Sequence, residues 1–111
     1  MKTLVVSLTL FACAFTLRAE IKSKTVEYKD GDTTLEGVVV WDDAAAERRP
    51  GVLVVHQWMG LGDYEKFRAR ELAKLGYVSF AADVYGAETR SSNFREASAL
   101  ATTYRTDRAL Y

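Results

Sequence analysis

The chain has 111 residues, enough for one small domain. Basic and acidic side chains balance at 15 each and are interleaved, which excludes the basic stripe of a nucleic-acid binder or an anionic-membrane binder. The one cysteine, Cys13, stands near the N-terminus, so no disulfide framework is expected in the domain.

Met1-Lys2, the largely apolar run Thr3–Leu17 and the small residue Ala19 have the layout of a secretory signal peptide, with cleavage expected ahead of Glu20. The run falls short of the ~20 residues of a spanning helix, so no stable membrane span is expected. Leu10-Phe11-Ala12-Cys13 offers a competing lipoprotein-type cut, although it would leave a very short signal. Removing residues 1–19 takes Lys2 and Arg18 away and leaves 13 basic against 15 acidic side chains. The expected location is periplasmic or secreted, and a domain without disulfides is ordinary in a bacterial periplasm.

Lys24–Lys29 alternates as a strand, Asp30-Gly31 is a hairpin turn signal, and Thr33–Trp41 continues with β-branched residues. Asp42–Arg49 is polar and small, and Pro50 blocks a helix, so a surface loop follows the hairpin. Val52–Val55 is an unbroken valine-rich run that suits a strand buried on both faces of a parallel sheet. Beyond the loop containing Gly60 and Gly62, Asp63 is placed to cap a helix over Tyr64–Leu75, with Gly76 as its left-handed end. On that helix Tyr64, Phe67, Leu72 and Leu75 share one arc, expected to face the core, and Arg68 and Glu71 pair at its edge.

Tyr77–Val84 reads as a second strand, parallel to the first through a right-handed crossover. Ala87–Asn93 is a loop from which Ser91, Ser92 or Asn93 caps another helix. Phe94, Ala97, Ala101, Tyr104 and Tyr111 lie on one face of it, and the pattern meets no Gly or Pro stop signal.

In open α/β sheets, ligands bind beyond the carboxyl ends of the strands, the place held here by His56-Gln57-Trp58-Met59-Gly60. Backbone amides in such a turn can face a developing negative charge, one donor contributing about 2.7–4 kcal/mol to the transition state. Ser79, Ser91, Ser92, Asp83 and His56 all lie outside any G-x-S-x-G elbow, so none is expected to act in a triad. His56 is expected to make structural hydrogen bonds and Asp83 to brace its loop. Asp42-Asp43 lacks companions for a metal, and no Gly-rich phosphate cradle is present, so neither metal nor cofactor is expected.

VLVVHQWMGL, the ungapped stretch on to LGYVSFAADVYG, and the later YRTDRALY resemble, in order and spacing, the dienelactone hydrolase family from about Thr33 to Tyr111. The resemblance implies an α/β class and the N-terminal part of an α/β-hydrolase fold. That part is an antiparallel hairpin leading into a parallel βαβ sheet, and it is incomplete. It also implies hydrolysis of an ester or lactone through a covalent acyl-enzyme.

The family's nucleophile (a cysteine or serine), aspartate and histidine would all fall beyond Tyr111, so the triad is expected to be missing from these residues. What carries over is the loop. The backbone N–H of Trp58 matches the oxyanion donor, and Gln57 stands where the family has a glutamate that engages the nucleophile. Arg95 lies near a substrate-carboxylate arginine, although a solvated helix arginine is its plainer reading. The expectation is residues 20–111 of an exported enzyme acting on a small-molecule ester or lactone, inactive without the remainder. The alternative is a non-enzymatic remnant that pairs with another polypeptide through its open sheet edge.

Overall fold

Two strands, β1 (Ile21–Asp30) and β2 (Thr33–Asp42), form an antiparallel hairpin registered from Ile21 opposite Asp42 to Asp30 opposite Thr33. The turn places Gly31 at φ +56, a conformation that glycine adopts without a steric cost. β1 begins three residues before the expected Lys24, because Ile21 is half-buried against the core. The computed structural model describes residues 20–44, 47–87, 89–107 and 109. The expected signal peptide over 1–19, Cys13, Arg108 and Tyr111 lie outside the described residues.

The remaining elements are β3 (Gly51–Val55), α1 (Asp63–Lys74), β4 (Val78–Ala82) and α2 (Phe94–Thr106). The sheet order is β1-β2-β4-β3, with β3 and β4 parallel and β2 and β4 antiparallel. A hairpin leading into a parallel βαβ unit is therefore present, in the partial α/β sheet that was expected. Val40, Leu61, Ala69, Ala73 and Ala81 form the buried core between the sheet and α1, with Ile21, Val38 and Val54 against it.

Three expectations need correction. β3 is not buried on both faces: Leu53 and Val55 are 64% and 57% exposed, while Val54 packs on the core. β3 is an edge strand of the described sheet and α1 covers one face only, so its alternate residues divide between core and solvent.

The second correction concerns which side of α1 meets the sheet. Ala69 and Ala73 are buried there, whereas Tyr64, Phe67 and Leu75 are 60%, 52% and 75% exposed. Close approach explains the choice. The buried Ser79 hydroxyl donates to the Ala69 carbonyl at 2.6 Å, a strand-to-helix contact that large side chains on that face would prevent. The expected Arg68–Glu71 pair gives way to Lys74 Nζ on Glu71 at 2.5 Å, an exposed contact worth about 0–1 kcal/mol.

Third, Gly62 rather than Asp63 is the N-cap of α1. The Glu65 carboxylate reaches back to accept from the Gly62 N–H at 3.0 Å, so the orphan amide is satisfied from inside the first turn. Gly76 follows the helix at φ +93, as expected. At α2 the cap is Asn93, whose Oδ1 accepts from the amides of Arg95 and Glu96, both at 3.0 Å.

Gly37, within β2, has no room for a side chain. A Cβ there would stand 2.5 Å from two atoms of the Phe80 ring and 2.9 Å from the Ala81 carbonyl oxygen. Tyr28 meets the same Phe80 edge-on at 5.7 Å between centroids, which limits how far the ring can move. Gly37→Ala is expected to destabilise by about 1–3 kcal/mol, measured as a lowered denaturant midpoint with an unchanged slope.

Candidate functional site

The site is the β3–α1 loop together with the loop that follows β4. Gln57 to Gly60 form a tight turn, closed by the Gly60 N–H on the Gln57 carbonyl at 3.3 Å, with Gly60 at φ +91. Trp58 is therefore held at the tip of a turn at the carboxyl end of β3, 40% exposed, as expected for an open α/β sheet. Its carbonyl accepts from the Tyr85 hydroxyl at 3.2 Å. No hydrogen bond engages its own N–H among the described residues.

His56 is 9% exposed and structurally bonded, as expected: its Nε2 accepts from the Val84 N–H at 3.2 Å, and its Nδ1 lies 2.5 Å from the Gln57 carbonyl oxygen. The Tyr85 ring meets the imidazole edge to face at 4.7 Å. These contacts bind the loop after β3 to the loop after β4 from inside.

Asp83 braces the second loop, again as expected. Its buried carboxylate accepts from the amides of Glu36 (3.2 Å), Tyr85 (3.2 Å) and Gly86 (3.3 Å) and from the Arg90 guanidinium (3.3 Å). Its backbone is gripped as well. The Tyr28 hydroxyl donates to the Asp83 carbonyl at 2.6 Å and accepts from the Asp83 amide at 2.8 Å. Burial pushes the Tyr28 hydroxyl above its ordinary value, and the Asp83 charge adds to this against the opposing backbone bond. Tyr28 therefore keeps the proton that its donor role requires.

Two hollows flank the turn. One, about 300 Å³, lies against the end of β3 and is lined by Val55, His56, Gln57, Trp58, Tyr85, Tyr104 and Arg105. The other, about 570 Å³, opens toward the start of α1 and is lined by Gln57, Met59, Leu61, Asp63, Lys66, Arg90 and Ser91. Gln57, which is exposed, belongs to both. The smaller hollow is the one that Trp58 lines.

The structure brings Gln57 and Trp58 together at the turn but leaves Arg95 outside both hollows. Arg95 is exposed in the first turn of α2, next to Phe94. Phe94, expected on one helical face with Ala97 and Ala101, is not buried with them. It is 72% exposed and stacks on Trp58, with centroids 5.6 Å apart and planes at 13°. Tyr104, further along α2, lies on Tyr85 at 4.9 Å, and its hydroxyl donates to the Tyr85 carbonyl at 3.2 Å. Tyr85 lies in the quoted AADVYG stretch, whereas Phe94 carries no motif that singles it out and meets Trp58 through packing between elements. Among the described residues, no group of three or more His, Cys, Asp or Glu could hold a metal, and no helix is long and apolar enough to cross a membrane.

Residues 35–110 match the model of the dienelactone hydrolase family. Among solved structures, m3DLH is similar at a TM-score of 0.76 and 33% identity, over 81% of this chain and 39% of that one. A dienelactone hydrolase-like promiscuous phosphotriesterase from metagenomic libraries is similar at a TM-score of 0.75 and 37% identity, over 81% of this chain and 37% of its own. The chain thus spans less than two-fifths of the length of either structure. No curated protein matches it.

Proposed function

The chain belongs to the dienelactone hydrolase family, and from that premise we propose that it supplies the N-terminal part of an exported enzyme that hydrolyses a small-molecule ester or lactone through a covalent acyl-enzyme. The observation that supports this most is the Trp58 N–H, unengaged among the described residues and held on a pinned turn beside a hollow at the carboxyl end of β3. In α/β hydrolases the loop after this strand provides one of the two oxyanion donors.

The nucleophile belongs on a strand beside the open edge of β3, outside these residues. Its attack on the substrate carbonyl forms a tetrahedral adduct whose oxygen carries the charge, and the Trp58 N–H donates to that oxygen. Collapse expels the alcohol and leaves the acyl-enzyme; water then attacks the acyl carbon through the same oxyanion and releases the acid. A phosphotriester, the substrate class named for one structural neighbour, also develops charge on an oxygen at the attacked centre and makes a useful comparison substrate.

The test is a burst experiment with the full-length protein on aryl esters, a lactone and an aryl phosphotriester, with intact mass measured in parallel. The expected result is a burst stoichiometric with enzyme and a mass increase equal to the acyl group. Absence of both adduct and turnover would overturn the reading. Arg95→Ala would raise KM about tenfold for acidic substrates and leave neutral esters unchanged, if Arg95 meets a substrate carboxylate as a charge-assisted partner. An equal change for both classes would remove that role.

A second reading, a non-enzymatic remnant that pairs through its sheet edge, draws on the place of β3 at one edge of the described sheet, with Leu53 and Val55 exposed on its face. A soluble, monomeric 20–111 chain with a cooperative melt would favour it. An aggregating or molten one would count against it.

A further inference from the structure

We propose that His56 is a positioning residue for the oxyanion donor, fixing the plane of the Gln57–Trp58 peptide so that the Trp58 N–H faces the reacting oxygen; this rests on the function proposed above. The argument begins with the proton on the imidazole. A backbone N–H can only donate, so the Val84 amide at 3.2 Å requires Nε2 to be the acceptor. The proton therefore resides on Nδ1, which donates to the Gln57 carbonyl oxygen at 2.5 Å. The Gly60 N–H donates to the same oxygen at 3.3 Å.

A trans peptide is planar, with its C=O and N–H pointing in opposite directions. Two donors on the Gln57 oxygen therefore also fix the Trp58 N–H, turned away from them. Rotating the peptide would break both bonds and strand a buried imidazole N–H, since His56 is only 9% exposed. The next peptide is pinned too, by the Tyr85 hydroxyl on the Trp58 carbonyl at 3.2 Å. Trp58 is thus bracketed by two fixed planes, and the Val84 amide ties the first to the loop after β4. A donor held in place before the charge develops needs no reorganisation when it does, which is where such groups derive their effect.

Two substitutions separate the halves of the imidazole. In His56→Asn the amide nitrogen can take the place of Nδ1 and still donate to Gln57, while the acceptor for Val84 is lost. In His56→Gln the amide oxygen can reach the Nε2 position and accept from Val84, while the donor to Gln57 is lost. Burst kinetics on an aryl ester are expected to show kcat for acylation reduced about 10- to 100-fold in H56Q, below the 10²–10³ of deleting a donor outright, with KM little changed. H56N, which keeps the donor to Gln57 but loses the tie to Val84, is expected to lose several-fold less than H56Q. A purely structural histidine would predict that both variants lose stability and neither loses kcat selectively.

Nuclear magnetic resonance supplies a readout independent of turnover. The imidazole of the unaltered protein should carry its proton on Nδ1, and the Trp58 amide resonance should shift or broaden more in H56Q than in H56N. A proton found on Nε2, or a Trp58 amide indifferent to both substitutions, would overturn the proposal even where a variant folds poorly. If the unaltered protein forms no acyl-enzyme, the functional reading fails; if it does and H56Q acylates as fast, only the role of His56 fails.

Discussion

Replacing Asp83 with alanine will lower unfolding stability by about 3–5 kcal/mol. The carboxylate is fully buried and accepts from three backbone amides and one guanidinium. Removing it leaves the Glu36, Tyr85 and Gly86 N–H groups without this acceptor, and an unsatisfied buried donor costs about 1–3 kcal/mol. Arg90 contributes less, because its side chain is 34% exposed and water can replace the lost partner. Relaxation of the loop keeps the total below the sum of the parts. Asp83→Asn retains an acceptor oxygen and should cost less than Asp83→Ala. Denaturant melts decide the matter: a midpoint shift worth under about 1 kcal/mol for the alanine variant would mean that the loop is held by other contacts.

The second large effect is chemical. On the proposed function, Gln57→Glu in the full-length protein will raise the rate of acylation, on the order of 10²-fold, the lower end of what a positioned proton acceptor contributes. Gln57 is exposed and is a lining residue of both hollows, and it stands where the resembling family has its glutamate. An amide can hydrogen-bond to a thiol or hydroxyl but cannot take its proton at neutral pH, whereas a carboxylate can. The part of Gln57 on which the turn depends is its backbone carbonyl, bonded to His56 and Gly60, and the substitution leaves that unchanged. Single-turnover acylation measures the step directly. A rate equal to that of the unaltered protein would show that the nucleophile is activated without help from position 57.

Local signals in the sequence specify local features well. Asp30-Gly31 marks the hairpin, Gly76 ends α1 in the left-handed region, and Asn93 caps α2 from among three candidates. The face of α1 was not legible, because apolar periodicity ranks side chains by size, whereas this interface is set by how closely helix and strand approach. Ala69 and Ser79 allow a 2.6 Å hydrogen bond between them, and the larger Tyr64 and Phe67 turn outward. β3 reads as doubly buried because its valines record an environment on both sides, of which these elements provide one.

The candidate loop is visible in the sequence through family resemblance at Gln57 and Trp58, but what holds it is not. Val84 is 28 residues from His56, and Asp83 is 55 from Tyr28. Bonds across such separations depend on the completed fold rather than on any repeat in the chain. Phe94 illustrates the same point: its spacing places it with the buried Ala97 and Ala101, yet at the start of α2 it is exposed and stacks on Trp58.

The most direct measurement is a crystal structure of the full-length enzyme carrying a covalent tetrahedral adduct, formed with an aryl phosphonate ester that mimics the attacked carbonyl. The account predicts that the adduct's charged oxygen lies about 2.7–3.1 Å from the Trp58 nitrogen, with the Gln57 carbonyl still bonded to His56. An oxygen held by other donors, with the Trp58 N–H turned away from it, would contradict the account.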